Sequence, residues 1–177
     1  YIAKQFGYPV FNADAEVTKI YRKSRKCYTK LKKTLPNYIT SFPVRKRELT
    51  KAIMTGHSNN LGRIVKIVHP EVRLRMNNFI RKNKNKKFVI LDIPLLMENK
   101  INKKSDVLVF IDAKKREIIK RLKKRPGVNL KMVRRFKKLQ LPVEIKKKRS
   151  NFTIKNNFRN NSTKKSVKKV LREILLN

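Results

Sequence analysis

One cysteine, Cys27, stands in the whole chain, so no internal disulfide can form. A lone thiol fits a reducing cytosol. Metal-ligand spacing is missing too. His57 and His69 are the two histidines, and neither has a nearby cysteine or a third ligand. Long apolar runs are absent. The longest, Phe88 to Leu91 and Val107 to Ala113, are strand-sized; a membrane helix needs roughly 18 residues or more. No stretch resembles a signal peptide. Acidic side chains are scarce: 11 Asp and Glu stand against 49 Lys and Arg, for a net charge of +38. Such a charge favours polyanions, whether nucleic acid, nucleotides or phosphorylated cofactors. Yet the lysines are scattered along the chain among many Asn and Ile, as codon drift in an AT-rich genome produces, and dedicated nucleic-acid faces cluster their charge.

Hydrophobic residues make up 40% of the 177 positions. That is enough for one compact domain with a buried core, and too many for a disordered chain. The pattern opens with a helix tail, Tyr1 to Phe6, which Gly7 ends as a C-cap. Pro9-Val10-Phe11 reads as a short strand stopped at Asn12-Ala13-Asp14. A helix is expected from Ala15 to Tyr21, with Asp14 able to cap it. Residues 22–55 read as short helices and loops punctuated by Pro36 and Pro43. The stretch from Asn59 to Asn83 is helical in period, with an interruption at His69-Pro70, because proline disfavours helical geometry in the residue before it. Pro70 suits the first turn of a second helix.

Phe88 to Asp92 and Asp106 to Asp112 are continuous apolar runs ending in carboxylates. Strands of a parallel sheet, buried on both faces, read this way. Lys114 to Lys124 is a basic helix with Ile118, Ile119 and Leu122 expected inward. Leu130 to Leu139 is a further helix, Phe152 to Ile154 a brief strand, and Val167 to Leu176 a closing amphipathic helix. Alternating strands and helices make the fold α/β with a parallel sheet.

Seven fragments stand in one order: Pro9-Val10-Phe11-Asn12-Ala13-Asp14; Arg47-x-Leu49; His69-Pro70-x-Val72-Arg73; Leu91-Asp92-Ile93-Pro94-Leu95-Leu96-Met97-Glu98; Arg121-Leu122-x-x-Arg125; Gln140-x-Pro142 with Lys146; Ile154-Lys155-Asn156. The series resembles the dephospho-coenzyme A kinase family, and the Pro-Leu-Leu-x-Glu segment after a buried strand is its most specific part. The resemblance implies a P-loop kinase-like three-layer sandwich, a helical substrate-binding part at about 18–85 and a lid at about 114–140 within one domain over 1–177. Three family positions differ. Asn12 stands for the first Asp of D-A-D, Lys155 for the Asp of I-D-N, and Ser150-Asn151 for an Ala-Asp pair. The Gly-rich loop of the family is not among these residues. The reading therefore expects a truncated chain, short of the central strand and Walker A loop and inactive without them. The chain alone is expected to be unstable, or the two strands flanking that gap to close on each other, since unpaired buried groups cost about 1–3 kcal/mol each.

The implied reaction moves the ATP γ-phosphate to the 3′-hydroxyl of dephospho-coenzyme A, in the cytoplasm, with Mg²⁺. Such transfer is mostly positioning and charge neutralisation. Asp14 is the candidate to accept or orient the hydroxyl proton; the alternative is a plain helix cap. Asp92 is the candidate to hold magnesium through water, or else a strand-end cap. Arg121 and Arg125 share a helix face and are read as lid arginines on ATP, with Arg125 at the migrating phosphoryl. Asn156 is placed near adenine, where an amide offers donor and acceptor together. Arg47, His69 and Arg73 are placed on the substrate side, and Glu98 matches a family glutamate without an assigned role. Two other readings remain. One is a basic, ribosomal-type nucleic-acid-binding protein, against which no RNA-binding aromatic motif is found. The other is a different P-loop nucleotide kinase, which would lack the full order of fragments. No membrane and no specific nucleic acid are expected as partners.

Overall fold

The computed structural model describes residues 2–55, 57, 59–124, 128 and 130–176. They form an α/β fold of helices and parallel strands in two compact units, one of residues 3–94, which holds α1 apart from its first residue, and the other of Ile2 with the described residues from 95 onward.

The first unit opens with α1 (Ile2–Phe6). Gly7 ends it at φ 68°, donating its N–H to the Ala3 carbonyl at 3.1 Å; this left-handed stop is one glycine takes without a Cβ penalty. β1 (Val10–Asn12) follows, shifted one residue from the expected Pro9–Phe11. α2 (Ala13–Lys23) then starts two residues earlier than expected, because the cap is Asn12 and not Asp14. Asn12 has extended backbone angles and its Oδ1 accepts the Ala15 N–H at 2.8 Å. Asp14 therefore lies inside the first turn. Ser24 closes α2 through its N–H and opens α3 (Arg25–Thr34) by accepting the Cys27 N–H on its hydroxyl.

α4 (Lys46–Thr55) and α5 (Asn60–Lys82) complete the helical part. α5 packs against α2, α3 and α4, and the core runs through Ile20, Leu31, Ile39, Ala52, Ile64 and Val68. Asn60, buried at the start of α5, donates to the Ala52 carbonyl at 3.1 Å and so ties α5 to α4. Burial also pushes the Cys27 thiol up to about 11, with the Glu71 charge adding to it. The expected interruption at His69-Pro70 is absent. α5 is continuous, with Pro70 inside it. An internal proline costs about 3 kcal/mol. Burial of Leu61, Ile64, Val68 and Met76 along the same helix contributes about 1.5–3 kcal/mol each, so packing wins.

β2 (Ile90–Asp92) pairs parallel to β1, with Val10 opposite Ile90, Phe11 opposite Leu91 and Asn12 opposite Asp92. It is shorter than the expected Phe88–Asp92; the Phe88 ring stacks on Tyr8 at 4.0 Å instead.

The second unit holds β3 (Val109–Asp112), α6 (Lys115–Lys124), α7 (Leu130–Lys137), α8 (Val143–Lys148), β4 (Phe152–Lys155) and α9 (Asn160–Leu176). β3 and β4 are parallel, Val109 opposite Phe152 through Asp112 opposite Lys155. β3 starts three residues later than expected because the Asn151 side chain takes the Leu108 N–H at 2.8 Å, in place of a strand partner. α8 was not expected. α9 starts at Asn160 instead of Val167, because its first turns are polar and show no apolar period.

Among the described residues the four strands thus form two parallel pairs, where one sheet is expected from the sequence. β2 pairs with β1, and β3 with β4. Burial on both faces also fails for β3: Val109 and Ile111 are 38% and 52% exposed. Ile118 and Ile119, expected inward, are 42% and 41% exposed, and α6 has no buried residue. Among the described residues, Ile154 and Leu171 are the buried apolar side chains of this unit.

Candidate active site

The C-terminal ends of parallel strands are where ligands of open α/β sheets gather. In the first unit that end is built from Asn12, Asp92 and the start of α2. Asn12 Nδ2 donates to Asp92 Oδ2 at 2.8 Å while Asn12 Oδ1 caps α2. One amide therefore fixes the helix start and one carboxylate oxygen together. Asp14, in the first turn, is exposed, and its carboxylate has no partner among the described residues. The helix N-terminus favours negative charge, and the carboxylate stands there with both oxygens unspent among the described residues.

The donor set suits a small hard cation. Asp92 has a second oxygen to offer and Asp14 has two. No group of three or more His, Cys, Asp or Glu could hold a metal ion among the described residues. Magnesium does not need one; it is usually held by one or two carboxylates, waters and substrate phosphates.

His69 and Arg73 lie one turn apart on α5, His69 half-buried and Arg73 exposed. Arg47 is exposed in the first turn of α4. Its neighbour Glu48, which sequence reasoning passed over, organises this region. Glu48 Oε1 accepts from the Thr40 and Ser41 N–H groups at 2.9 and 3.0 Å and from both hydroxyls; Oε2 accepts the Arg45 N–H at 3.1 Å. Burial pushes the carboxyl up, but the hydrogen bonds from Thr40, Arg45 and Ser41 win and bring it to about 2. The Arg45/Glu48 spacing is that of a capping box with arginine where the box has serine, which is why the signal was easy to miss.

In the second unit, Arg121 and Asn156 are brought together through a residue the sequence did not single out. The Arg121 guanidinium lies over the Phe158 ring, 4.6 Å from its centroid. Asn156 Oδ1 accepts the Phe158 N–H at 2.9 Å. Phe158 has φ 61°, a strained setting that costs a bulky residue about 1–3 kcal/mol. The Asn156-Asn157 pair was the available signal, since asparagine builds such side-chain turns. Arg125 lies outside the described residues.

Glu98 now has a structural role. Its Oε1 accepts the Leu141 N–H at 2.9 Å and pairs with Lys146 Nζ at 3.3 Å. Burial raises its pKa, but its own N–H, that of Leu141 and the Lys146 charge lower it further than burial raises it. The Pro-Leu-Leu-x-Glu turn and the stretch before α8 are thereby clasped together. Asp112, ending β3, pairs with Lys147 at 3.6 Å and accepts the Asn156 N–H on its carbonyl at 2.7 Å.

Chemically, the first unit offers the Asp92 carboxylate at a strand end, with one oxygen held by Asn12, and the Asp14 carboxylate in the first turn of α2; the second offers an arginine over an aromatic ring beside an ordered amide turn. Carboxylates serve proton and cation positioning, and arginine with amide serves nucleotides.

The dephospho-CoA kinase family profile matches residues 1–163. A dephospho-CoA kinase of Bartonella quintana (strain Toulouse) is 31% identical over 176 residues, covering 98% of this chain and 89% of that protein. One from Wolbachia sp. subsp. Brugia malayi (strain TRS) is 31% identical over 153 residues, covering 85% and 77%. Among solved structures, TT1252 from Thermus thermophilus superposes with TM-score 0.71 at 24% identity, over 97% of this chain and 87% of that one. Dephospho-CoA kinase from Campylobacter jejuni gives 0.61 at 21%, over 98% and 88%. At those identities the structures speak for the fold.

Proposed function

This chain belongs to the dephospho-CoA kinase family, and on that footing we propose how its residues divide the work. The activity is transfer of the ATP γ-phosphate to the 3′-hydroxyl of dephospho-CoA, the final step of coenzyme A synthesis.

Asp14 accepts the proton of the 3′-hydroxyl, or orients it, as the hydroxyl oxygen bonds to the γ-phosphorus and ADP leaves. The observation that supports this reading is the division between Asn12 and Asp14. Asn12 carries the cap of α2, which leaves the Asp14 carboxylate unspent. Asp92, with one oxygen fixed by Asn12, would hold Mg²⁺ through water. The ion's chemistry is to neutralise phosphate charge.

Arg121 and Asn156 serve the base side of ATP, and Arg125 the migrating phosphoryl, where a planar fork donates two bonds at once. Arg47, His69 and Arg73 face the diphosphate and adenosine of dephospho-CoA; the two arginines are exposed cations, which suit phosphate. We place the reaction in the cytoplasm, with the free, buried Cys27 thiol in keeping.

The test is Asp14→Asn, assayed in the active enzyme. Turnover should fall about 10²-fold or more while ATP affinity holds. Unchanged turnover removes Asp14 from the chemistry.

A further inference from the structure

Phe158 is an aromatic residue in a backbone region that glycine alone enters freely, at φ 61°. Several bonds hold it there. Asn156 Oδ1 accepts the Phe158 N–H at 2.9 Å and the Thr163 hydroxyl at 3.3 Å. The Asn156 N–H donates to the Asp112 carbonyl at 2.7 Å, so the turn is fixed to the end of β3. The ring meets the Arg121 guanidinium at 4.6 Å. Arg121 is exposed and pairs with no carboxylate among the described residues. A guanidinium is planar and has two faces. That of Arg121 lies over the Phe158 ring within cation–π distance, and the arginine side chain is exposed.

We propose that Phe158 is a positioning residue for the nucleotide: its ring holds the Arg121 guanidinium flat, so that the other face stacks on the purine of ATP. The inference rests on the reading of Arg121 and Asn156 as ATP-side residues. Arginine otherwise loses much rotamer freedom when a ligand orders it, and a side chain ordered beforehand is spared that loss. The strained backbone fits the same account. A turn that holds phenylalanine at positive φ has been built around the ring's position.

Two variants test it, in the active enzyme. Phe158→Gly removes the ring and suits the left-handed backbone. Phe158→Leu keeps bulk and loses the π face. Affinities for ATP, CTP and dephospho-CoA are measured by calorimetry and as KM. Both variants should weaken ATP about fivefold or more, narrow the preference for ATP over CTP, and move dephospho-CoA less than twofold. Unchanged ATP affinity overturns the proposal. So does tighter ATP binding in Phe158→Gly, the result expected if the ring occupies the place of the base. Arg121→Ala separates the two levels. If it leaves ATP affinity unchanged, the ATP-side reading itself fails. If it weakens ATP and neither Phe158 variant does, only the role of Phe158 fails.

Discussion

Asn12 and Asp92 meet across the β1–β2 pair, with Asn12 Nδ2 donating to Asp92 Oδ2 at 2.8 Å while the other end of the same amide caps α2. The two bonds use both ends of one side chain. Asn12→Ala loses both. The cap alone is worth about 1 kcal/mol, with a range of about 0.5–2. Urea unfolding of Asn12→Ala should therefore shift to a lower midpoint by an amount in that range or slightly above it. Asn12→Asp should keep the cap but lose the donor and set two carboxylates together, so its stability should fall as pH rises through the carboxylate range. A flat pH response in Asn12→Asp would show that Asp92 is not held by this contact.

Glu48 gives a pH dependence with a definite sign. Its folded pKa is about 2, well below the usual carboxylate range. A depressed carboxylate contributes stability that is fully present above the unfolded pKa, and that is lost as pH falls through the folded one. Thermal stability should thus drop between about pH 4.5 and 2 by more in the native chain than in Glu48→Gln. At neutral pH Glu48→Gln should cost about 1–3 kcal/mol, from weakened hydrogen bonds to a charged acceptor. Parallel acid titration curves for the two proteins would remove Glu48 as the cause.

These two acids mark what could and could not be read from the sequence. Asp92 was legible because it closes an apolar run, and strand ends gather ligands. The cap was misplaced between Asn12 and Asp14, because both residue types cap helices and only backbone angles separate them. Glu48, Glu98 and Phe158 were hidden for different reasons. Glu48 acts through backbone amides of a loop whose shape is not written in side-chain types. Glu98 meets Leu141 from 43 residues away. Phe158 owes its place to a positive φ that its side chain disfavours. The inward reading of Ile118 and Ile119 failed because the helical period names a face and does not say whether anything covers it.

The clasp from Glu98 to Leu141 and Lys146 makes two separable contacts, an amide bond at 2.9 Å and an ion pair at 3.3 Å. Glu98→Ala removes both; Lys146→Ala removes only the second. Hydrogen exchange at the Leu141 amide should accelerate about tenfold or more in Glu98→Ala, the loss of about 1.4 kcal/mol or more of local protection. It should change little in Lys146→Ala. Equal acceleration in both variants would mean that the ion pair, and not the amide bond, holds the segment.

The role proposed for Arg125, at the migrating phosphoryl group, separates chemistry from binding. An interaction made mainly in the transition state lowers kcat and kcat/KM together when removed. Arg125→Ala in the active enzyme should lower kcat about 10-fold to 10³-fold with a smaller change in ATP affinity. Arg125→Lys should restore only part of it, since an ammonium lacks the two-pronged fork. A loss confined to ATP affinity would move Arg125 from the chemical step to simple binding.

Pro70 is the clearest case of a local cost that the fold tolerates. It sits inside α5, one residue after His69 and three before Arg73, and it has no N–H to give to the Lys66 carbonyl. Pro70 is exposed, so replacing it removes little packing. Pro70→Ala should raise stability by about 1–3 kcal/mol, as an internal proline is relieved. If α5 also sets His69 and Arg73 for dephospho-CoA, the variant should weaken dephospho-CoA while ATP affinity stays as it was, because the missing bond at Lys66 lets the turn beneath His69 adjust. Two readouts then decide between two accounts. A more stable chain with unchanged substrate affinity makes Pro70 a tolerated defect. A more stable chain that binds dephospho-CoA less well makes it part of the substrate side.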